Sequence, residues 1–231
     1  MKIFLTGGTG FIGSHFINEA IENNHDLVCL KRLNSKPGIK LIDEPTWVDG
    51  NLGHGLKQYM QDCDILVHLA AVGVSPKHAN WEKLLKYNVT AVFELARQAM
   101  DIGITKWLIA GSYLEYGRSA DRFDFIPSDA PLEPISPYAA SKAAAFELLH
   151  SLVCENNIKM IYARIFSAFG DGQYLSNFWP SLQEAALKGR DFPMTNGEQI
   201  RDFIPVENVA KRLVQLLDFN KLKSGNPLII N

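Results

Sequence analysis

The chain has 231 residues, enough for one large core or for one domain with a small appendage. Apolar residues make up 47% and charged residues 21%, an ordinary globular balance, and the net charge of −2 argues against nucleic-acid or anionic-membrane partners. Three scattered cysteines, Cys29, Cys63 and Cys154, are odd in number and lack metal spacing, which fits a reducing compartment and predicts no metal site. The start does not read as a signal peptide, and the longest apolar run, residues 65–74, is too short to span a bilayer, so a cytoplasmic protein is expected.

In chain order, Lys2–Thr6 reads as a strand and Phe11–Asn23 as a helix. Asp26–Lys31 is a second strand and Thr46–Val48 a short third. A helix is predicted over Gly53–Gln61 and a fully buried strand over Asp64–Leu69, from its continuous apolar run. Trp81–Ile102 is a long helix, Lys106–Ala110 a strand, Tyr138–Asn156 another long helix and Lys159–Arg164 a strand. After Gly170 the composition shifts. Gly172–Asn177 and Arg190–Gln199 read as loops around a helix at Asn177–Lys188, followed by Arg201–Val206, an amphipathic helix over Val206–Asp218 and a closing strand, Pro227–Asn231. The alternation implies a Rossmann-type α/β fold, a doubly wound parallel sheet, with a small C-terminal lobe that is short or truncated. The expected division is a dinucleotide-binding domain over residues 1–165 and a partial substrate-binding lobe over residues 166–231, from which the chain returns to the sheet.

The first strand runs into Gly7, Gly8, Gly10 and Gly13, and a helix opens at Phe11. A strand, a glycine turn and a helix N-terminus form the order that cradles a dinucleotide pyrophosphate. Glycine lets the backbone approach the anion closely. Further on, Tyr138 and Lys142 lie four residues apart on one helix face. A nearby ammonium favours a phenolate, so Tyr138 is a candidate acid/base. Ser112 stands just past the strand ending at Ala110, where open parallel sheets bind ligands.

These motifs occur in a recognisable order: residues 6–13, His68–Ala71, Tyr87–Val89, Gly111–Gly117, Ser136–Lys142, Arg164–Gly170 and Arg201–Val206. In them the chain resembles extended short-chain dehydrogenases/reductases, the NAD-dependent epimerase/dehydratase family acting on nucleotide sugars. The resemblance implies an enzyme with Ser112, Tyr138 and Lys142 as its catalytic triad. Lys142 would also hold the nicotinamide ribose, and Ser112 would polarise the substrate oxygen. It implies cofactor contacts from Gly7, Gly10, Phe11, Ile12, Gly13, Lys31, Arg32, Asn51, Leu52, Leu69, Ala70, Ala71, Asn88, Tyr138, Lys142 and Ile165. It implies substrate contacts from Ser112, Tyr113, Ser167 and Arg201. Asn88 either helps order the proton path or holds a turn, and His68 reads as a buried structural histidine. The resemblance implies a homodimer through the two long helices. Phe93 and Phe146 either serve that interface or face the sheet.

The departures narrow the reaction. Dinucleotide folds that prefer NAD usually carry an acid about twenty residues past the glycines. Here Lys31 and Arg32 close the second strand instead, which favours NADP(H) over NAD(H), because cations bind a 2′-phosphate. Asn51 replaces another acid near the adenine. The dehydratases of the family carry an Asp-Glu pair where Tyr113 and Leu114 stand, so elimination is disfavoured, and Glu115 lies one position late and reads as structural. Ser167 replaces a usual asparagine. Arg201 either binds a diphosphate or pairs with Asp202 or Glu198. Phe178 and Trp179 either line the nucleotide pocket or pack in the core. The expected reaction is NADPH-dependent reduction of a nucleoside-diphosphate 4-keto-6-deoxyhexose. The alternatives are a nucleotide-sugar epimerase that retains NAD and, since fold does not fix function, a non-catalytic nucleotide-binding relative.

Overall fold

The computed structural model describes residues 1–74 and 80–231. Nine strands are found among them: β1 (Lys2–Thr6), β2 (Asp26–Lys31), β3 (Thr46–Asp49), β4 (Ile65–His68), β5 (Lys106–Ser112), β6 (Lys159–Ile165), β7 (Ser167–Phe169), β8 (Phe203–Pro205) and β9 (Leu228–Ile230). The helices are α1 (Phe11–Glu22), α2 (Lys57–Met60), α3 (Trp81–Leu84), α4 (Ala91–Asp101), α5 (Pro137–Glu155), α6 (Phe178–Leu187) and α7 (Val206–Gln215).

Seven strands form one sheet in the order β3-β2-β1-β4-β5-β6-β9. Every neighbouring pair is parallel. Strands such as Ile65–His68 are buried along their whole length, as a sheet covered on both faces requires. On one face Leu56, Met60, Val92, Leu95, Phe146 and Leu149 pack with Phe4, Leu66 and Trp107. On the other, Phe16, Ile17 and Ala20 of α1 and Val209 and Leu213 of α7 pack with Ile3, Leu5 and Val67. Phe146 therefore faces the sheet, its ring 4.7 Å from that of Tyr162. The strand order reverses beside β1, which pairs with β2 on one side and β4 on the other. Ligands of such sheets bind in the crevice at that reversal.

Three expectations need correction. The helix read over residues 53–61 is only Lys57–Met60. The buried Gln98 side chain accepts from the Leu56 N–H at 2.8 Å and donates to the Gly53 carbonyl, so both groups are taken by a side chain instead of a helix. The long helix read over residues 81–102 is interrupted by a π turn, Leu85–Thr90, between α3 and α4. Within residues 201–206, which carried no assigned element, Phe203–Pro205 forms β8, and β8 pairs in parallel with β7 outside the main sheet. The segment after residue 166 also returns to the large sheet, through α7 on α1 and β9 on β6.

Candidate active site

The glycine turn is built for an anion. Gly7 has φ +85°, and a Cβ on it would stand 2.5 Å from the Ala70 nitrogen. A Cβ on Gly13 would collide with the Gly7 carbonyl. Helix α1 has Gly10 as its N-cap, with no side chain capping it, so the first-turn N–H groups of Phe11 and Ile12 are left for a ligand. The Ser14 hydroxyl donates back to the Gly10 carbonyl at 2.8 Å and accepts the Gly38 N–H at 3.1 Å, which locks the turn against the loop after β2. The Leu69 N–H donates to the Thr6 carbonyl at 3.0 Å, pressing Leu69, Ala70 and Ala71 against this turn. These residues fit a dinucleotide pyrophosphate, since the close approaches leave no room for a Cβ and the uncapped first turn of α1 offers backbone N–H groups.

Lys31 and Asn51 lie along the same edge, where the Gly50 N–H donates to the Lys31 carbonyl at 2.9 Å. The Lys31 ammonium lies 5.3 Å over the Trp47 ring. Arg32 is exposed, and its carbonyl accepts from Ser35. Leu52 is half-buried against the core beneath α4, and Ile165 ends β6.

The triad converges at the C-terminal end of β5. Ser136 caps α5, accepting from the Ala139 N–H at 3.3 Å, and Pro137 opens the helix, so Tyr138 stands in its first turn and Lys142 one turn later. Lys142 is buried, and its ammonium donates to the Ala110 carbonyl at 2.6 Å. Burial lowers the Lys142 pKa, against a raising pull from the Glu115 carboxylate. Tyr138 does not show the lowering expected from Lys142. Burial first, and the Glu115 charge second, push its phenol up, while a hydrogen bond with Ser112 opposes them. The ammonium is committed to the β5 backbone, and the negative charge behind the site works against the phenolate.

Glu115 is the group whose importance the sequence did not reveal. It is wholly buried. Its Oε1 accepts the Ser112 N–H at 2.7 Å and the Tyr162 hydroxyl at 2.9 Å, and its Oε2 accepts Arg164 Nε–H at 2.9 Å. Arg164 also donates to the Tyr116 hydroxyl and the Ser128 carbonyl, both at 3.0 Å. Its guanidinium lies 4.6 Å over the Phe146 ring and 4.7 Å over that of Tyr116. The available signal was register: parallel pairing of β5 with β6 sets Gly111 opposite Arg164.

Asn88 sits in the π turn and spends its amide inside the protein. It accepts the Val72 N–H at 2.9 Å and donates to the Val72 carbonyl and the Ser141 hydroxyl, each at 3.0 Å. It thus ties the loop after β4 to α5, which is the turn-holding role. His68 is fully buried, with Nδ1 2.7 Å from the Thr6 hydroxyl and Nε2 without a partner. Burial, and then the Lys142 charge, hold its pKa down at about 3.

Among the residues expected to contact substrate, Arg201 donates to the Tyr113 hydroxyl at 2.6 Å and to Gln199 at 3.0 Å, rather than pairing with Asp202 or Glu198. Tyr113 in turn stacks on Phe166 at 5.1 Å. Ser167 starts β7, its N–H donating to the Asp202 carbonyl at 3.1 Å. Trp179 packs on Phe169 at 4.8 Å and lines a cleft of about 690 Å³ together with Gly38, Gly172 and Glu207, while Phe178 packs on Phe192 and Phe203. None of the three triad residues borders that cleft. No helix among the described residues is long and apolar enough to cross a membrane.

Comparison with known proteins places this geometry. A dTDP-glucose 4,6-dehydratase of Neisseria gonorrhoeae is 28% identical over 247 residues, covering 94% of this chain and 69% of the relative. The structure of a UDP-N-acetylglucosamine 4-epimerase from Methanobrevibacter ruminantium M1, in complex with UDP-N-acetylmuramic acid, matches with a TM-score of 0.85 at 26% identity, covering 100% of this chain and 76% of that one. MoeE5 in complex with UDP-glucose and NAD matches with a TM-score of 0.84 at 25% identity, covering 100% of this chain and 75% of that one. A second MoeE5 complex, with UDP-glucuronic acid, likewise contains NAD. These complexes overturn the preference for NADP(H) drawn from Lys31 and Arg32 and favour NAD. Two cations at a strand end do not by themselves make a 2′-phosphate site, and here the Lys31 ammonium is turned onto an indole ring while Arg32 is exposed. The model of the NAD dependent epimerase/dehydratase family matches residues 3–231, and the chain belongs to that family of enzymes.

Proposed function

We propose that this chain is a nucleotide-sugar epimerase that works with a retained NAD. The observation that carries the reading is the convergence of Ser112, Tyr138 and Lys142 at the end of β5, with Tyr113 and Leu114 in the next two positions. That arrangement supplies one proton-handling group and no carboxyl pair for eliminating water. The expectation of a 4-keto-6-deoxyhexose reductase rested partly on the cationic pair, and it loses that support with the preference for NAD.

NAD, when bound, would take a hydride from the sugar and return it. The chain's own residues do the remaining work. The glycine turn from Gly7 to Gly13, with Phe11 and Ile12, holds the pyrophosphate, and Leu69, Ala70 and Ala71 close over it. Lys142 reaches toward the ribose from its bond with Ala110. Tyr138 removes the proton from the sugar hydroxyl and restores it after the sugar has turned, and Ser112 hydrogen-bonds the same oxygen. Arg201, held by Tyr113, binds the diphosphate, with Ser167 beside it. A homodimer in the cytoplasm is part of this reading. The exposed Trp81, Leu85 and Leu148 on the α3–α5 surface favour association there, and sedimentation at several concentrations tests it.

The deciding experiment incubates the purified protein with UDP-glucose, UDP-N-acetylglucosamine and dTDP-glucose without added reductant, and reads the hexose by proton NMR. A C4 epimer forming without net change in NAD supports the reading. A second arm supplies NADH and a nucleoside-diphosphate 4-keto sugar: consumption of NADH there, with no epimer in the first arm, sinks it in favour of the reductase. A 4-keto-6-deoxy product would instead restore the dehydratase.

A further inference from the structure

Glu115 has no part in the proton transfer just described, yet it is the most completely enclosed charge near it. Its carboxylate is 0% exposed and the Arg164 side chain 2%. Gly111 is what makes room for it: a Cβ there would stand 2.9 Å from Glu115 Oε1 and collide with the Tyr162 ring. The backbone then makes a reciprocal cap. The Ser112 hydroxyl accepts from the Leu114 N–H at 3.3 Å, and the Glu115 carboxylate accepts from the Ser112 N–H at 2.7 Å. One carboxylate therefore fixes the residue that carries the reacting hydroxyl, while Arg164 on the neighbouring strand fixes the carboxylate at 2.9 Å.

We propose that Glu115, clamped by Arg164, is a positioning residue for proton transfer, setting where the Ser112 hydroxyl stands and what charge Tyr138 and Lys142 see from behind. The proposal rests on the reading that Ser112 and Tyr138 handle the proton. The groups facing Glu115 are Arg164 and Tyr162 from β6, Tyr138 and Lys142 from α5, and the Ser112 backbone from β5. The Glu115 charge opposes ionisation of Tyr138 and favours the protonated Lys142. A buried pair of this kind adds little net stability over well-packed apolar residues, so stability alone does not account for it.

The test compares wild type with Glu115→Gln, Glu115→Ala and the double variant Glu115→Leu/Arg164→Met, which removes both charges and keeps the fold accessible. Each is read for NAD affinity, for kcat and KM against pH, and for hydrogen exchange at the Ser112 amide. The expected result is a kcat roughly a hundredfold lower in Glu115→Ala and in the double variant, with KM and NAD affinity little changed. Glu115→Gln, which keeps the acceptor for the Ser112 N–H, recovers part of the rate, and its kcat midpoint moves to lower pH because Tyr138 ionises more easily. A folded variant lacking the carboxylate, with unchanged kcat and pH midpoint, overturns the proposal. If wild type turns over none of the nucleotide sugars, the epimerase reading has failed and exchange decides instead. A Ser112 amide released in Glu115→Ala, while β5 stays protected elsewhere, upholds the positioning. An amide that stays protected refutes it.

Discussion

The end of β5 and the lobe around β7, β8 and α6 are built on opposite terms. Around Ser112 the polar groups Glu115, Arg164, Tyr162 and Lys142 each have named partners: side chains, the Ser112 amide, or the backbone carbonyls of Ala110, Ser128 and Lys142. In the lobe, Leu187 is 89% and Ile200 99% exposed, and Phe178 and Met194 are exposed too. The first region cannot shift without stranding a charge in a dry interior. The second can change its side chains at small cost. Under the proposed function, proton handling belongs to the part that is fixed and the choice of sugar to the part that is free to vary, in keeping with one scaffold serving several reactions.

This contrast can be broken or sharpened in steps. The largest effect is expected from Tyr138→Phe, which should lower kcat by about a thousandfold while NAD still binds. A calorimetric NAD titration beside a turnover assay checks both halves, and near-normal turnover would remove Tyr138 from the chemistry. Next comes Arg164→Met alone, which leaves the Glu115 carboxylate buried without its partner. A loss of about 3–5 kcal/mol is expected in urea unfolding, and a loss below about 1 kcal/mol would mean that the carboxyl simply takes up a proton.

His68 gives a pH signature of the same enclosed region. Its folded pKa, about 3, lies below the ordinary 6.5, because burial and the Lys142 charge disfavour the imidazolium. Between those values the unfolded chain binds the extra proton and the folded one does not. The stabilisation is complete above pH 6.5 and drains away as pH falls toward 3. His68→Gln should flatten that acid limb in denaturation midpoints measured across the window, and an unchanged limb would place the imidazole in contact with water.

The lobe should respond more gently. Arg201→Ala should raise KM for the nucleotide sugar about tenfold and leave kcat nearly intact, as loss of one charged hydrogen bond implies. A fall in kcat with constant KM would move Arg201 into the reacting centre. Ile200→Ser should change stability by no more than about 0.5 kcal/mol. A larger loss on thermal melting would show that the lobe is packed against something after all.

Much of this was legible beforehand, for reasons that differ by region. The glycine turn is read from local chemistry, since only backbone freedom explains Gly7 and Gly13. The parallel sheet covered on both faces follows from the alternation of strands and helices, and the pairing of Tyr138 with Lys142 from helical spacing. Glu115 reads from the sequence as structural and its weight was invisible, because Tyr162 and Arg164 are 47 and 49 residues away and meet it only through the β5–β6 register. The Lys31–Arg32 pair misled because a charge count says nothing about where an ammonium points, here onto Trp47. Nor did anything local announce the π turn or the pairing of β7 with β8, both of which depend on tertiary contacts.

The π turn at Leu85–Thr90 also sets a frame. One extra residue per turn rotates everything beyond it by about 100° relative to an unbroken α-helix. Upstream, Leu84 is buried; downstream, Val92, Leu95, Ala96 and Ala99 are. The two stretches therefore keep separate phases, and Asn88 sits at the splice with its amide on Val72 and Ser141. Deleting one residue there would restore a regular helix and turn one apolar stripe out of the protein. The splice therefore behaves as a locked reading frame, open to substitution along its outer face and closed to changes in length.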